Sequence, residues 1–302
     1  MYSLLAVLPV LVPSLQSLGP AHHRRPSAPP DELPVRLLVS GFESNAVHKY
    51  RDGLARGKAA ASGAQSIVRG PDGLLYVCAE KTDKVLRLDP TTLVRIDAFV
   101  EDDPLTPADE NGPLNGPTSA TFGPDGLLYV ASFDNDRILR YDGQTGDYLG
   151  TFVGAGAAGL NGPDAGTKFG ADGLLYVPSF WNDRVLRYDD QGVFVDEFVS
   201  AQEGGLRQPR DLVQHAGDWY VASSLNDRIL RFDDQGNFID VFTTTPQPYS
   251  LAFHPRDGNL YVVSPQTEDV RVFAGDTGNL LGLSVSAGTG DLVGAVYVFL
   301  LD

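Results

Sequence analysis

Three copies of Asn-Asp-Arg, at Asn135-Asp136-Arg137, Asn182-Asp183-Arg184 and Asn226-Asp227-Arg228, are the most conspicuous polar groups of this sequence. Carboxylate and amide oxygens are the ligands a hard divalent cation prefers, so a single triplet would suggest a metal site. Three near-identical triplets point to scaffold instead, because a site needs one constellation and not three. Their short polar chains can bond the loop's own backbone, and each Arg can pair with an acidic neighbour across blades. Asp72, Asp125 and Asp172 each precede a glycine and read as turn residues of the same kind. Histidine is sparse: after the first 34 residues there are His48, His215 and His254, expected at surface or turn positions. Phe133, Phe180 and Trp181 lie in otherwise polar loops. Such rings either anchor an apolar or sugar ligand or tuck beneath the loop as core. Trp181 interrupts the local pattern, and both roles stand equally open for it.

The whole chain sets the frame for these residues. It has 302 residues, 42% of them hydrophobic, enough for a substantial core. It holds 33 Gly and 21 Pro, an excess that predicts many turns and short strands. The formal net charge of −16 opposes binding to phosphate backbones and anionic lipid, so no nucleic-acid partner is expected. The single cysteine, Cys78, excludes an internal disulfide and any Cys-rich zinc module. No stretch of 18 apolar residues follows the N-terminus, and no membrane insertion is expected.

Self-similarity supplies the architecture. GPDGLLYVCAEKTDKVLRLD from Gly70, GPDGLLYVASFDNDRILRYD from Gly123 and GADGLLYVPSFWNDRVLRYD from Gly170 superimpose, and looser copies start at His215 and His254. A degenerate sixth copy opens at Arg36. The equivalent tyrosines Tyr76, Tyr129, Tyr176, Tyr220 and Tyr261 recur at intervals of roughly 40–50 residues, room for four short strands and their turns. The strands are apolar on consecutive positions, as in Leu127-Leu128-Tyr129-Val130, which fits sheets covered on both faces. In the copy from Gly123, strands are expected over Thr118–Phe122, Leu127–Ser132, Arg137–Tyr141 and Tyr148–Val153. The expected fold is all-β: a six-bladed β-propeller of four-stranded antiparallel blades over 35–302. The first copy lacks a preceding strand and the last leaves Ala295–Leu300 over, so this C-terminal strand should close the ring by pairing with the N-terminal blade.

Chain direction then selects a face. In a four-stranded meander the second-to-third loops and the blade-to-blade loops share one side of the disk, and the Asp-Gly turns take the other. The functional face should carry Glu43, Lys81, Phe133, Asp134, Phe180, Trp181, Leu225 and Pro265 from the first set of loops. Gln65, Thr118, Asp164, Arg210, Tyr249 and Asp291 come from the second set, nearer the central channel.

The string DG-x-LYV-A-x-x-x-NDRILR-[YF]D is similar to NHL repeats, and the likeness runs over nearly all of the chain after residue 34. It implies a propeller fold but no one function, since that superfamily hosts ligases, lyases, lactonases and pure binding modules. Similar propellers of the gluconolactonase and paraoxonase class hold a catalytic divalent cation, usually calcium, at the channel mouth. That resemblance implies a lactonase- or esterase-type hydrolase, with Asp164 and Asp291 as the matching carboxylates. Arg210 departs from the pattern by placing a positive charge where the cation should sit. A related lyase on NHL-like repeats needs clustered zinc-binding histidines, which His48, His215 and His254 do not supply. NHL ubiquitin ligases carry RING modules upstream, which a chain with one cysteine lacks.

The favoured expectation is a monomeric, non-catalytic binding or scaffolding propeller. Its protein, peptide or carbohydrate ligand would meet Phe133, Phe180, Trp181, Arg210 and Tyr249 on the loop face. The calcium-dependent hydrolase is the alternative. Residues 1–34, apolar over Leu4–Val12 and then rich in Pro, Ser and Ala, read as a signal peptide and disordered spacer. That would make the chain secreted or cell-envelope associated, periplasmic in a two-membrane cell; a plain N-terminal extension is the other reading. Glu101–Gly116 carries five acidic residues and reads as a solvated excursion or a partner-binding loop.

Overall fold

Consecutive apolar positions make strands with no wet face, and these strands can only be satisfied by stacking sheet on sheet. Leu75–Ala79 and Leu260–Ser264 are buried along their whole length. The computed structural model describes residues 34–101 and 114–301. The expected leader and most of the acidic 101–116 loop therefore lie outside the described residues. Within them, six four-stranded antiparallel sheets form a six-bladed propeller, and the helical turns are short 3-10 segments. The inner strands in blade order are Ala295–Leu300, Ala64–Arg69, Pro117–Phe122, Lys168–Phe169, Pro209–His215 and Ser250–Phe253.

The last strand closes the ring. Ala295–Leu300 pairs antiparallel with Arg36–Gly41, with Leu37 opposite Leu300 and Val39 opposite Val298. Blade 1 thus takes its innermost strand from the C-terminal end and its other three from Arg36–Ala60. Stitching the two ends together satisfies backbone groups that would otherwise form an open sheet edge. In the third blade the expected strands stand within one residue of those observed, Pro117–Phe122, Leu128–Ser132, Arg137–Tyr141 and Tyr148–Val153.

Aromatic staples hold neighbouring blades. Tyr76 meets Phe99 of its own blade and Phe122 of the next edge-on, each at 5.0 Å between centroids. Tyr129 repeats this with Phe152 and Phe169, and Tyr220 with Phe242 and Phe253. Tyr176 stacks on Trp219 at 4.4 Å. Each such pair contributes about 0.5–1.5 kcal/mol beyond burial of its area. The turn aspartates serve the same staples: Asp125 and Asp172 accept the hydroxyl hydrogens of Tyr129 and Tyr176 at 2.8 and 2.9 Å.

The Asn-Asp-Arg triplets are scaffold, although they act on a different partner from the one expected. Asp136, Asp183 and Asp227 sit in the left-handed region at φ 57, 60 and 62°. Each carboxylate reaches past its own loop to the next blade, accepting the N–H of Gly162, Gln208 and Gln247 at 2.7, 2.7 and 2.8 Å. Asp83 does likewise to Gly116 at 2.8 Å. Arg184 pairs with Glu197 of its own blade's outer strand and not across blades. These contacts fix the height of four of the blade-to-blade loops, and so the height of the residues that follow them.

Candidate functional site

Five backbone pairings define equivalent positions at the channel mouth: Ala64 with Ala79, Pro117 with Ser132, Pro163 with Ser179, Pro209 with Ser223 and Ala295 with Gly41. The residue after the first partner lies on or just before the inner strand, giving Gln65, Thr118, Asp164, Arg210 and Val296, with Tyr249 at the sixth blade. The residue after the second partner starts the loop above, giving Glu80, Phe133, Phe180, Ser224 and Phe42, with Pro265 in the sixth blade. Apart from Asp164 and Ser224, the residues of these two rings line a cavity of about 520 Å³. Phe133, Phe180 and Trp181 form one wall; Phe42, Pro265 and Val296 line the other side.

Arg210 is the centre of the site. One terminal nitrogen donates to the Asp164 Oδ2 at 2.8 Å, and the other donates to the Tyr249 hydroxyl at 2.9 Å. The guanidinium lies 3.9 Å from the Phe180 ring centroid and 4.1 Å from that of Tyr249. A planar, weakly hydrated cation between two rings and a carboxylate is the arrangement that arginine suits and lysine does not. Asp164 is buried at 1% exposure, and its Oδ1 accepts the Ala165 N–H at 2.7 Å. Burial pushes the Asp164 carboxyl up, while Arg210 and the Ala165 N–H pull it down. A second buried carboxylate, Asp211, accepts from Lys168 at 3.1 Å and from the Leu251 N–H at 3.0 Å.

Phe180 is buried at 3% exposure whereas Trp181 is 58% exposed. Phe180 therefore answers as core, backing Arg210, and Trp181 presents its ring to solvent at the rim. Phe133 is half-buried between them, 5.9 Å from Phe180 and 6.3 Å from Trp181.

The structure places the remaining expected residues as follows. Gln65, Thr118, Tyr249, Glu43 and Pro265 line the cavity. Lys81 turns to Glu43 at 3.3 Å and lies 4.2 Å over the Phe42 ring. Leu225 is exposed outside the cavity lining. Asp291 does not join Asp164: it sits in a 3-10 turn, 3.3 Å from Lys58 on the outermost strand of blade 1, with its side chain 87% exposed. Val296 holds the ring position assigned to Asp291. His48 and His254 are buried rather than superficial, at 2% and 1% exposure. His48 shares a hydrogen bond with Ser44, and His215 stacks on Phe253 at 3.9 Å.

Glu80 is the residue that sequence reasoning passed over. It stands where the third and fourth blades have Phe133 and Phe180, and that exception within the repeat was the signal. Gln65 donates its side-chain amide to the Glu80 carboxylate. Burial, with the charges of Asp164 and Asp134, pushes the Glu80 carboxyl up to about 7, against the pull of Gln65 and Arg210. Such a group inside a cavity is a functional-site signature. Burial also pushes the Cys78 thiol up to about 12, which leaves it no thiolate at neutral pH.

The calcium site implied by the lactonase resemblance can be tested on these donors. Both Asp164 oxygens are engaged, Arg210 covers the carboxylate, and Asp291 lies elsewhere. Among the described residues no group of three or more His, Cys, Asp or Glu side chains is placed to hold a metal ion. A site needing six to eight oxygens does not fit this donor set.

No protein-family model matches the chain, and no curated protein matches it. Solved structures do. A chain in the crystal structure of a nidogen/laminin complex superimposes with a TM-score of 0.70 at 13% identity, over 87% of this chain and 97% of that one. A streptogramin B lyase gives 0.60 at 13% identity, over 88% and 87%. A catalytically inactive His-to-Ala variant of virginiamycin B lyase from Staphylococcus aureus, bound to quinupristin, gives 0.54 at 17% identity, over 74% and 71%. These likenesses concern the fold, and with the strand order they place the chain among the six-bladed β-propellers. Among the described residues no helix is long and apolar enough to cross a membrane.

Proposed function

We propose that this chain is a non-catalytic binding propeller of the NHL type, whose partner is a protein or peptide segment seated in the loop-face cavity. The observation that carries the reading is the locked Arg210. Its charge is paired with Asp164, its other terminal nitrogen with the Tyr249 hydroxyl and its faces with two rings, so it forms a fixed cationic floor where a metal cation would have to sit. Above it, an exposed Trp181 and a half-buried Phe133 offer the rigid aromatic area that anchors interface hot spots. The nidogen/laminin structure supports the reading, since a propeller of this shape there belongs to a protein complex. The lyase neighbours favour it less: the variant with quinupristin is catalytically inactive through one histidine substitution, and among the described residues no histidine lines this cavity.

Peptide and glycan arrays probed with the protein and with Trp181→Ala test the reading. Peptide ligands that the variant no longer retains are expected. Arrays that retain only glycans, or ligands equally held by the variant, would overturn it.

A further inference from the structure

The internal cations of this site show how a ligand cation would be held. Arg210 is sandwiched between Phe180 and Tyr249 and anchored by a carboxylate. Lys81 lies over Phe42 and is anchored by Glu43. Each is an ammonium or guanidinium group on an aromatic face with an acidic partner, the arrangement in which the ring quadrupole and a carboxylate act together. The cavity holds the same pieces once more. Phe133 and Trp181 offer ring surface, while Glu80 and Glu268 line the wall with no cation within ion-pair distance among the described residues. Setting Arg210 against Asp164 and Lys81 against Glu43 leaves the cavity negative.

We propose that the cavity takes the cationic group of its ligand, a Lys or Arg side chain of the bound segment, seated on the Phe133–Trp181 wall with Glu80 as its counter-ion. This rests on the binding reading above and names the chemistry of the bound group. The strongly acidic chain would draw a basic partner towards the mouth.

Glu80 makes the inference quantitative. Its surroundings are Gln65 and Arg210, which favour the ionised carboxylate, and burial, Asp164 and Asp134, which oppose it. Glu268 and Glu43, the latter paired with Lys81, also line the cavity. A ligand cation beside Glu80 would favour its ionised form, so binding should release a proton when the free protein holds Glu80 protonated. Affinity should then rise as pH climbs through about 7 and level off above.

The test uses three end-blocked glycine-rich pentapeptides with a central residue of lysine, Nε-acetyl-lysine or glutamate. Binding is followed by tryptophan emission and by calorimetry in buffers of different ionisation enthalpy. The lysine peptide should bind best, with affinity rising roughly tenfold from pH 6 to pH 8 and a proton released at the lower pH. Glu80→Gln should flatten the pH profile and lower the preference for lysine over its acetylated form. The wild-type profile alone decides if that variant fails to fold. Equal or tighter binding of the acetylated or glutamate peptide would overturn the cationic assignment and leave the binding reading standing. Absence of binding by all three would also overturn the assignment, and the arrays would then decide the binding reading separately.

Discussion

Arg210 on the inner strand of the fifth blade and Asp164, just before that of the fourth, form a 2.8 Å ion pair between blades, with Asp164 almost wholly buried. Propellers pack blade on blade largely through apolar sheet faces, and here a charged clasp is set among them at the channel mouth. A buried pair of this kind contributes little net stability when intact, but breaking it leaves a charge with no water to solvate it.

Arg210→Met should therefore destabilise the fold by about 3 kcal/mol in chemical unfolding, because Asp164 loses its counter-ion. The double variant Arg210→Met with Asp164→Leu should recover most of that loss. A double variant as unstable as the single one would show that the pair acts through geometry other than its charge.

Asp183 tests the inter-blade ladder. Replacing it with Ala removes the acceptor for the Gln208 N–H and leaves a left-handed residue at φ 60° without its side-chain bond. A loss of about 1–3 kcal/mol is expected, with Asp183→Asn retaining most of the stability. Equal melting temperatures for the Ala variant and the wild type would remove Asp183 from the scaffold.

Glu80 sets a pH dependence whose sign follows from its raised pKa. The folded protein holds the Glu80 proton up to about 7, whereas the unfolded chain releases it near 4.5. Between those values the folded state binds more protons, so stability falls as pH rises. Glu80→Gln has no such proton and should gain on the wild type across this window, by about 3 kcal/mol between pH 4.5 and pH 8. Parallel stability curves for the two proteins from pH 4.5 to 8 would contradict this environment for Glu80.

Trp181 separates binding from folding. Its ring is largely solvent-exposed, so Trp181→Ala should shift stability by no more than about 0.5 kcal/mol while abolishing ligand retention. Phe180→Ala, at a buried position beneath Arg210, should cost about 3–5 kcal/mol. A large loss of stability from Trp181→Ala would make that ring part of the core.

The repeat made the blades legible because each Leu-Tyr-Val strand is buried on both faces and carries its own turn. Even the closure was readable, since Ala295–Leu300 had no partner in its own copy. At the channel mouth the register held wherever a proline preceded the inner-strand residue, at Thr118, Asp164, Arg210 and Tyr249. It held at Gln65 as well, after Ala64. The position on the closing strand is the exception: Val296 fills it, five residues beyond Asp291. Glu80 was missed by one residue in favour of Lys81, because a degenerate loop gives no anchor for register. The Arg210–Asp164 clasp itself was not legible: its partners stand 46 residues apart and meet only when the ring forms.

The most direct measurement on the central claim, that the channel mouth is a ligand-binding floor closed by Arg210 and Asp164, is a melting titration with calcium against an EDTA-treated control. A cation bound only by the folded state would stabilise it by about 2.7 kcal/mol at a hundred times its Kd. Coincident melting curves at every calcium concentration are predicted. A rise in Tm that disappears in Asp164→Ala would contradict the claim and restore a metal-dependent hydrolase at the mouth.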